Sequence, residues 1–138
     1  MDIATKRLIE ERKQWRKDHP TGFVARPRVS ADDTVNLKKW DCFIPGPKDT
    51  IWSGGHYKLS IEFKEGYPQV PPKCQFDRGF YHPNIYPSGT VCHSILDADQ
   101  AWSPDLKLAD VLLAIQNLLV EPNLESPAQF EAFHDLSE

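Results

Sequence analysis

The sequence lacks the features that mark several broad classes of protein. Its three cysteines, Cys42, Cys74 and Cys92, form no Cys-x-x-Cys pair, which argues against a disulfide framework and against a zinc site built of thiolates. The longest uninterrupted apolar run spans residues 111–115, far short of the ~20 residues that a membrane helix requires. Residues 1–20 are charged throughout, unlike a signal peptide. We therefore expect a protein of a reducing compartment, with no metal and no membrane partner.

Positive charge is scarce outside the first 30 residues. Residues 1–30 carry eight Lys or Arg against four Asp or Glu, and the remaining residues carry eight against sixteen. The net charge of −4 argues against general nucleic-acid binding, which favours a basic domain. A basic segment on an acidic chain instead indicates docking to an acidic protein surface.

Length and composition indicate one globular domain. With 138 residues, of which 40% are hydrophobic and 26% are charged, the chain has the size and the balance of a single domain. A chain of this size buries about two thirds of the surface that it exposes when unfolded. We therefore expect one domain over residues 1–138.

The spacing of apolar residues predicts an antiparallel sheet. Four strands are predicted, over Phe23–Val29, Val35–Ile44, Tyr57–Phe63 and Lys73–Phe76. The third strand alternates cleanly between apolar and polar residues, which is typical of a strand with one buried face. Because strands and helices do not alternate along the chain, we expect an α+β fold with a four-stranded antiparallel meander.

Three helices are predicted around this sheet. Residues 3–17 contain no Pro or Gly, and His19-Pro20 ends that N-terminal helix. Apolar residues from 108 to 119 recur at helical offsets, and Glu121-Pro122-Asn123 stops that central helix. Because the central helix is almost apolar all round, we expect it at the centre of the core. Pro127 opens a short final helix through Phe133.

Residues 77–105 have no helix or strand period, and their many apolar side chains make disorder a poor fit. We expect an ordered, irregular segment built around chemistry. Cys92 lies within it, whereas Cys42 and Cys74 fall on predicted strands, where a cysteine is usually a small buried hydrophobic residue. A Cys–His pair with His82 is conceivable, but we interpret His82 as a structural residue that holds a turn.

The order and spacing of several motifs resemble the ubiquitin-conjugating enzymes. In chain order these are Tyr67-Pro68-x-x-Pro71-Pro72-Lys73, Tyr81-His82-Pro83-Asn84, Gly89-Thr90-Val91-Cys92, Trp102-Ser103-Pro104 and Glu121-Pro122-Asn123. Three features are similar to the SUMO-conjugating branch of that family. They are the sequences of residues 11–20 and 86–92 and the spacing of nine residues between Cys92 and Trp102. The resemblance covers the chain from the N-terminal helix to its end.

This resemblance implies an enzyme activity. Cys92 would accept SUMO as a thioester from the SUMO-activating enzyme and pass it to a substrate lysine as an isopeptide bond. The implied partners are SUMO, its activating enzyme, SUMO ligases and protein substrates with acceptor lysines, in the nucleus and cytoplasm, with no cofactor. A carrier for ubiquitin or another modifier is an alternative, and a non-catalytic scaffold that binds modifiers is a third, against which Cys92 argues.

The resemblance also implies roles for residues around Cys92. Asn84 would either stabilise the oxyanion of the transfer step or brace its own loop, and Tyr86 and Ser126 would line the channel of the acceptor lysine. The residues expected to bind substrate are Lys73, Ser88, Thr90, Pro127, Ala128, Gln129 and Phe133.

Two partner surfaces are implied in the same way. The first, shared by the activating enzyme and a second, non-covalent SUMO, comprises Arg12, Lys13, Arg16, Lys17 and His19. The second, on two loops that ligases touch, comprises Pro68, Gln69, Ser103 and Pro104.

The sequence departs from the family pattern at several positions. Ser126 stands where the SUMO branch usually has Asp, which removes a negative charge from the lysine channel. Gln75 and Gln100 stand where that branch often has lysines, so we expect a weaker grip on an acidic substrate residue. His93 replaces the usual Leu after the cysteine, and we expect its ring to face solvent. The sequence also stops about twenty residues early, so we expect the last helix of the family to be absent.

Overall fold

The structure, a computed structural model, describes residues 1–125. Its elements are helix α1 (Ile3–Lys17), strands β1 (Val24–Val29), β2 (Val35–Pro45), β3 (His56–Glu62) and β4 (Lys73–Phe76), a short 3-10 helix (Ser94–Leu96) and helix α2 (Leu108–Val120). The strands form one antiparallel sheet in the order β1-β2-β3-β4. The predicted α+β fold with an antiparallel meander is therefore confirmed. The predicted helix from Pro127 to Phe133 lies outside the described residues.

The period-two alternation of the strands places one apolar face of the sheet inward. On the β2–β3 pair, Trp40 lies opposite Ile61 and Cys42 lies opposite Leu59, and all four are at most 1% exposed. Successive side chains of a strand point to opposite faces, so Asp41 and Ser60, which lie between these residues and pair with each other, face outward. Burying such large apolar side chains stabilises the fold by about 1.5–3 kcal/mol each.

Helix α2 covers the core with one face. Its buried residues recur at helical spacing and comprise Leu108, Val111, Leu112, Ile115, Leu118 and Leu119. The helix packs against β2 and α1. It lies in the core as predicted, but it is not enclosed on all sides, because Leu113 is 42% exposed and Val120 is 40% exposed. In the described part of the chain, no helix combines the length and the apolar character needed to cross a bilayer.

A buried carboxylate joins α1 to α2. Glu11 is 6% exposed; its Oε1 accepts a hydrogen bond from Arg7 Nε at 3.0 Å, and its Oε2 accepts one from the backbone N–H of Leu108 at 3.0 Å. Leu108 begins α2, so its N–H has no acceptor within the helix, and the positive end of the helix dipole favours a carboxylate there. Arg7 also donates to the carbonyls of Pro104 and Leu106, at 2.8 and 2.9 Å. This network fixes the start of α2 on α1.

Replacing Glu11 should destabilise the fold strongly. In Glu11→Ala the Leu108 N–H and the Arg7 guanidinium lose a buried acceptor, so we expect the free energy of unfolding to fall by about 2–4 kcal/mol. Urea denaturation followed by circular dichroism measures it. The matched control is Glu10→Ala, because Glu10 is 71% exposed and only pairs with Lys13 at 3.5 Å; its change should stay below about 0.5 kcal/mol. Equal effects of the two substitutions would contradict the assignment.

Candidate active site

Backbone hydrogen bonds, not long regular elements, order the segment around Cys92. The N–H of Val91 donates to the carbonyl of Cys74 at 2.9 Å, and the N–H of Cys92 donates to the carbonyl of Asn84 at 2.8 Å. Val91 also pairs with Ile85 in an isolated antiparallel bridge, and both side chains are buried. The prediction of an ordered, irregular segment is confirmed, apart from the short 3-10 helix that follows Cys92.

A tight turn precedes the cysteine. The N–H of Gly89 donates to the carbonyl of Tyr86 at 2.8 Å, and the N–H of Tyr86 donates to the carbonyl of Thr90 at 2.9 Å. Gly89 has a φ of 94°, a conformation that favours glycine, and a Cβ there would collide with the carbonyl oxygen of Phe76. Glycine at position 89 therefore lets the turn close against β4 immediately before Cys92.

The side-chain amide of Asn84 braces the site. Its Nδ2 donates to the carbonyl of Asn123 at 2.7 Å, and its Oδ1 accepts from the N–H of Asn123 at 2.7 Å. Asn84 is fully buried, so these bonds form away from water. The structure thus gives Asn84 the bracing contacts that were one of its two predicted roles; the oxyanion role stays a prediction. Asn123 was expected only as part of a helix stop and of a family motif, so its contact with Asn84 was not predicted.

His82 ties the same loop to α2. Its ring is 1% exposed; Nδ1 accepts from the N–H of Asn84 at 3.0 Å, and Nε2 lies 2.9 Å from the carbonyl of Leu118. Because a backbone N–H can only donate, Nδ1 carries no proton, and Nε2–H is the donor to Leu118. Burial lowers the pKa of this imidazole below its ordinary value. The structural interpretation of His82 is therefore confirmed.

The three cysteines differ in access to solvent. Cys42 and Cys74 are buried, whereas Cys92 is partly exposed. Burial raises the pKa of the Cys42 thiol to about 12 and raises the pKa of Cys74 far above its ordinary range. Because the thiolate is the nucleophilic form of cysteine, these two residues are inert at neutral pH. Cys92 is the cysteine that the fold leaves available for chemistry.

Cys92 opens on a cavity of about 340 Å³. The side chain of Tyr86, 46% exposed, stands beside the thiol. The negative charge that Cys92 carries as a thiolate, together with a side-chain hydrogen bond to Cys92, raises the pKa of Tyr86, so the Tyr86 hydroxyl stays protonated at neutral pH. The cavity is lined by Tyr86, Val91, Cys92, His93, Ser94, Leu96, Asp97, Ala98, Gln100, Leu118 and Asn123. It can hold a peptide-sized group against the sulfur.

The structure corrects the prediction for His93. The ring does not simply face solvent: it is half-buried, and its Nδ1 accepts from the N–H of Ile95 at 3.1 Å. His93 thereby caps the 3-10 helix beside the cysteine. The sequence signal for this contact was a histidine directly before the first turn of a short helix. The sequence alone could not reveal that helix, because residues 77–105 have no regular period.

Several predicted substrate residues meet on the outer face of the sheet. The hydroxyls of Ser88 and Thr90 are hydrogen-bonded at 2.9 Å, and Gln75 pairs with Thr90 in an isolated bridge. Lys73, two residues before Gln75 on β4, points to the same face and is exposed. The other predicted residues, Ser126, Pro127, Ala128, Gln129 and Phe133, lie outside the described residues.

The predicted partner surfaces are largely accessible. On α1 and the residues after it, Lys13, Arg16, Lys17 and His19 are exposed, whereas Arg12 is partly buried. The two predicted ligase loops lie side by side, because Nε1 of Trp102 donates to the carbonyl of Pro68 at 3.0 Å.

Exposure varies within those two loops. Gln69 is exposed, Ser103 and Pro104 are half-buried, and Pro68 is buried. Pro68 therefore shapes its loop more than it offers surface. Elsewhere in residues 1–125, no group of three or more His, Cys, Asp or Glu side chains could hold a metal ion.

Comparisons with known proteins agree with this geometry. Residues 7–138 match the family described as ubiquitin-conjugating enzyme. The chain is 55% identical over 131 residues to the SUMO-conjugating enzyme UBC9 of Caenorhabditis elegans, covering 95% of this chain and 79% of that protein. It is 54% identical to the SUMO-conjugating enzyme SCE1 of Arabidopsis thaliana, covering 96% and 82%. It is also 54% identical to the SUMO-conjugating enzyme ubc9 of Dictyostelium discoideum, covering 96% and 83%.

Selective alkylation should distinguish the three cysteines. Iodoacetamide added to the folded protein at neutral pH should modify Cys92, whereas Cys42 and Cys74 should react only after denaturation, because burial keeps them as thiols. Peptide mass spectrometry locates the label. In Cys92→Ala the folded protein should take up no label. Modification of Cys74 in the folded protein, or protection of Cys92, would contradict the geometry described above.

Proposed function

Because the chain belongs to the ubiquitin-conjugating enzyme family, we propose that it is a SUMO-conjugating enzyme in which Cys92 carries the modifier. Three SUMO-conjugating enzymes are 54–55% identical to it over 95–96% of its length. The observation that carries the assignment of Cys92 is its position: it is the partly exposed cysteine, at an open cavity, on a segment braced from both sides.

Charging is a thioester exchange. The Cys92 sulfur attacks the carbonyl carbon of the modifier's C-terminal thioester on the activating enzyme. A new carbon–sulfur bond forms to Cys92, and the bond to the activating enzyme's cysteine breaks, which releases that cysteine as a thiolate. The step exchanges one thioester for another, so it is nearly balanced in free energy. It needs an accessible sulfur, which the partial exposure of Cys92 provides.

Discharge transfers the acyl group to an amine. The Nζ of a substrate lysine attacks the thioester carbonyl, a carbon–nitrogen bond forms, and the carbon–sulfur bond to Cys92 breaks. Cys92 leaves as a thiolate and takes up the proton that the amine loses. With an ordinary pKa near 10.4, only about one lysine in 2,500 is neutral at pH 7. The site must therefore desolvate the lysine, and Tyr86 beside the sulfur supplies an apolar ring at the required place.

Positioning accounts for most of the rate in this proposal. Among the described side chains around Cys92, His82 lies in the core with both ring nitrogens engaged, so it is not a base for the thiol. Holding a thioester and an amine in reactive geometry contributes many orders of magnitude of effective concentration. The hydrogen bonds of Cys92, Asn84 and Asn123 provide such a fixed frame.

Substrate selection uses the outer face of the sheet next to the site. The Lys73 ammonium and the hydroxyls of Ser88 and Thr90 lie on that face, and together they suit a carboxylate near the acceptor lysine. Gln75 is neutral and already donates to the carbonyl of Ser88 at 3.3 Å. We expect the affinity for an acidic substrate residue to depend mainly on Lys73.

The partner surfaces follow from exposure and charge. The basic residues of α1 offer a docking face for the activating enzyme and for a second SUMO, with Lys13, Arg16 and Lys17 exposed. The adjacent loops of Gln69 and Ser103 offer a separate face for ligases. The Arg7 and Glu11 network lies between the two faces, since Arg7 contacts both α1 and the loop that contains Pro104.

A charging assay tests the proposed function. The protein is mixed with ATP and with either SUMO and SUMO-activating enzyme or ubiquitin and ubiquitin-activating enzyme, and the products are separated on a non-reducing gel. We expect an adduct with SUMO that reducing agent removes. Cys92→Ala should form none, and the matched variant Cys92→Ser should form an adduct that resists reducing agent, because an ester replaces the thioester. An adduct with ubiquitin alone, or a thiol-sensitive adduct on Cys92→Ala, would overturn the assignment.

A further inference from the structure

His93 occupies an unusual place for a titratable side chain. It follows Cys92 directly, has extended backbone with φ −150° and ψ 141°, and is the N-cap residue of the 3-10 helix Ser94–Leu96. Its carbonyl accepts from the N–H of Leu96 at 2.9 Å, and its ring accepts from the N–H of Ile95 at 3.1 Å. Two consecutive backbone donors of that short helix therefore depend on His93.

This short helix forms one wall of the cavity at the sulfur. Ser94 and Leu96 line the cavity together with Cys92 and His93. A 3-10 helix of three residues has little stability of its own, so the contact from the imidazole to Ile95 contributes directly to the shape of the wall. The acyl group on Cys92 has to lie against that wall.

The contact requires a neutral imidazole. The N–H of Ile95 is a donor, so Nδ1 of His93 must be unprotonated, and the ring proton is on Nε2. When the ring gains a second proton, Nδ1–H faces the Ile95 N–H, and the hydrogen bond becomes a contact between two donors. The same arrangement recurs on the other side of the cysteine, where Nδ1 of His82 accepts from the N–H of Asn84.

We propose that His93 is a positioning residue whose neutral ring holds the 3-10 helix beside Cys92 and makes discharge of the thioester depend on the ring's protonation state. The proposal rests on the proposed function, because it concerns the same cysteine. The residue acts through the backbone of Ile95 and does not exchange protons with the substrate.

Within residues 1–125, the other groups that line the cavity do not titrate in the same range. Its titratable side chains besides His93 are Cys92, Tyr86 and Asp97. Hydrogen bonds from Gln100, at 2.7 Å, and from the N–H of Asp99, at 2.9 Å, lower the pKa of Asp97, so it stays ionised. The pKa of Tyr86 is raised, and Cys92 is blocked once it carries an acyl group.

The direction of the pH effect follows from burial. Burial lowers the pKa of His93 from its ordinary value of 6.5, so the ring is neutral and the wall is held at neutral pH. The contribution of His93 is complete above about 6.5 and is lost as the pH falls through the lowered pKa.

The test uses two substitutions of different chemistry. His93→Asn keeps a side-chain acceptor for the N–H two residues on, as Asn does in Asx turns, but cannot titrate. His93→Leu removes the acceptor. The charged thioester of each protein is purified, and its discharge to hydroxylamine, an acceptor that remains nucleophilic in mild acid, is timed from pH 5.0 to 8.0. The rate of wild type is divided by the rate of each variant at the same pH. This ratio removes the effects of protonating hydroxylamine and His82, because both are the same in every protein.

We expect His93→Asn to match wild type within about twofold at pH 7.5. His93→Leu should be about three- to tenfold slower than His93→Asn at every pH, as loss of one hydrogen bond predicts, and should be slower than wild type by the same factor at pH 7.5. The ratio of wild type to His93→Asn should be constant above about pH 6.5 and fall at least about threefold by pH 5.0. A wild-type to His93→Asn ratio that is constant over the whole range, or a His93→Leu protein as fast as wild type at pH 7.5, would overturn the proposal.

A second measurement on the uncharged protein separates this inference from the proposed function. In a two-dimensional NMR titration, the amide of Ile95 should shift with the same pKa as the His93 ring, below 6.5, and should not shift in His93→Asn. An Ile95 amide that ignores the His93 titration would overturn the inference even where SUMO charging succeeds. Failure of wild type to accept SUMO would instead overturn the proposed function, and the Ile95 titration would still decide whether His93 holds the helix.

Discussion

The two hydrogen bonds between the Asn84 side chain and the backbone of Asn123 hold the site together. The two residues are 39 positions apart in the sequence. Their bonds join the loop of Asn84, whose carbonyl accepts the N–H of Cys92, to the loop that follows α2. His82 adds a parallel connection to Leu118 in the last turn of α2. Without these contacts the segment around Cys92 would rest on a few isolated backbone hydrogen bonds.

Helix α2 therefore links the functional surfaces. Its first residue is held on α1 by Glu11, and its last turn holds the loop of His82. The end of α1, which carries Arg16 and Lys17, lies by the first turn of α2, and the cavity of Cys92 lies at the last turn of α2, where Leu118 lines it. This arrangement suits an enzyme whose chemistry is mostly positioning, because thioester transfer requires an exposed sulfur and a fixed acceptor more than a set of acid and base groups.

The fold and the reactive cysteine could be predicted from local sequence patterns, whereas the contacts that hold the site could not. Strand alternation located the buried face of the sheet, and comparison of three cysteines was enough to select Cys92. The pairing of Asn84 with Asn123 joins distant residues and leaves no periodic signal. Glu11 was unpredictable for a different reason, since charged residues are seldom fully buried. The orientation of His93 depended on the order of a segment that has no regular period.

Hydrogen exchange tests most directly whether the Asn84 brace holds the reactive segment. Amide exchange in wild type and in Asn84→Ala is followed by NMR at Asn123, at Cys92 and along β3, which serves as the internal reference. The account predicts that the substitution speeds exchange at both Asn123 and Cys92 by an order of magnitude or more, and leaves β3 unchanged. Faster exchange at Asn123 with an unaltered Cys92 amide would contradict it.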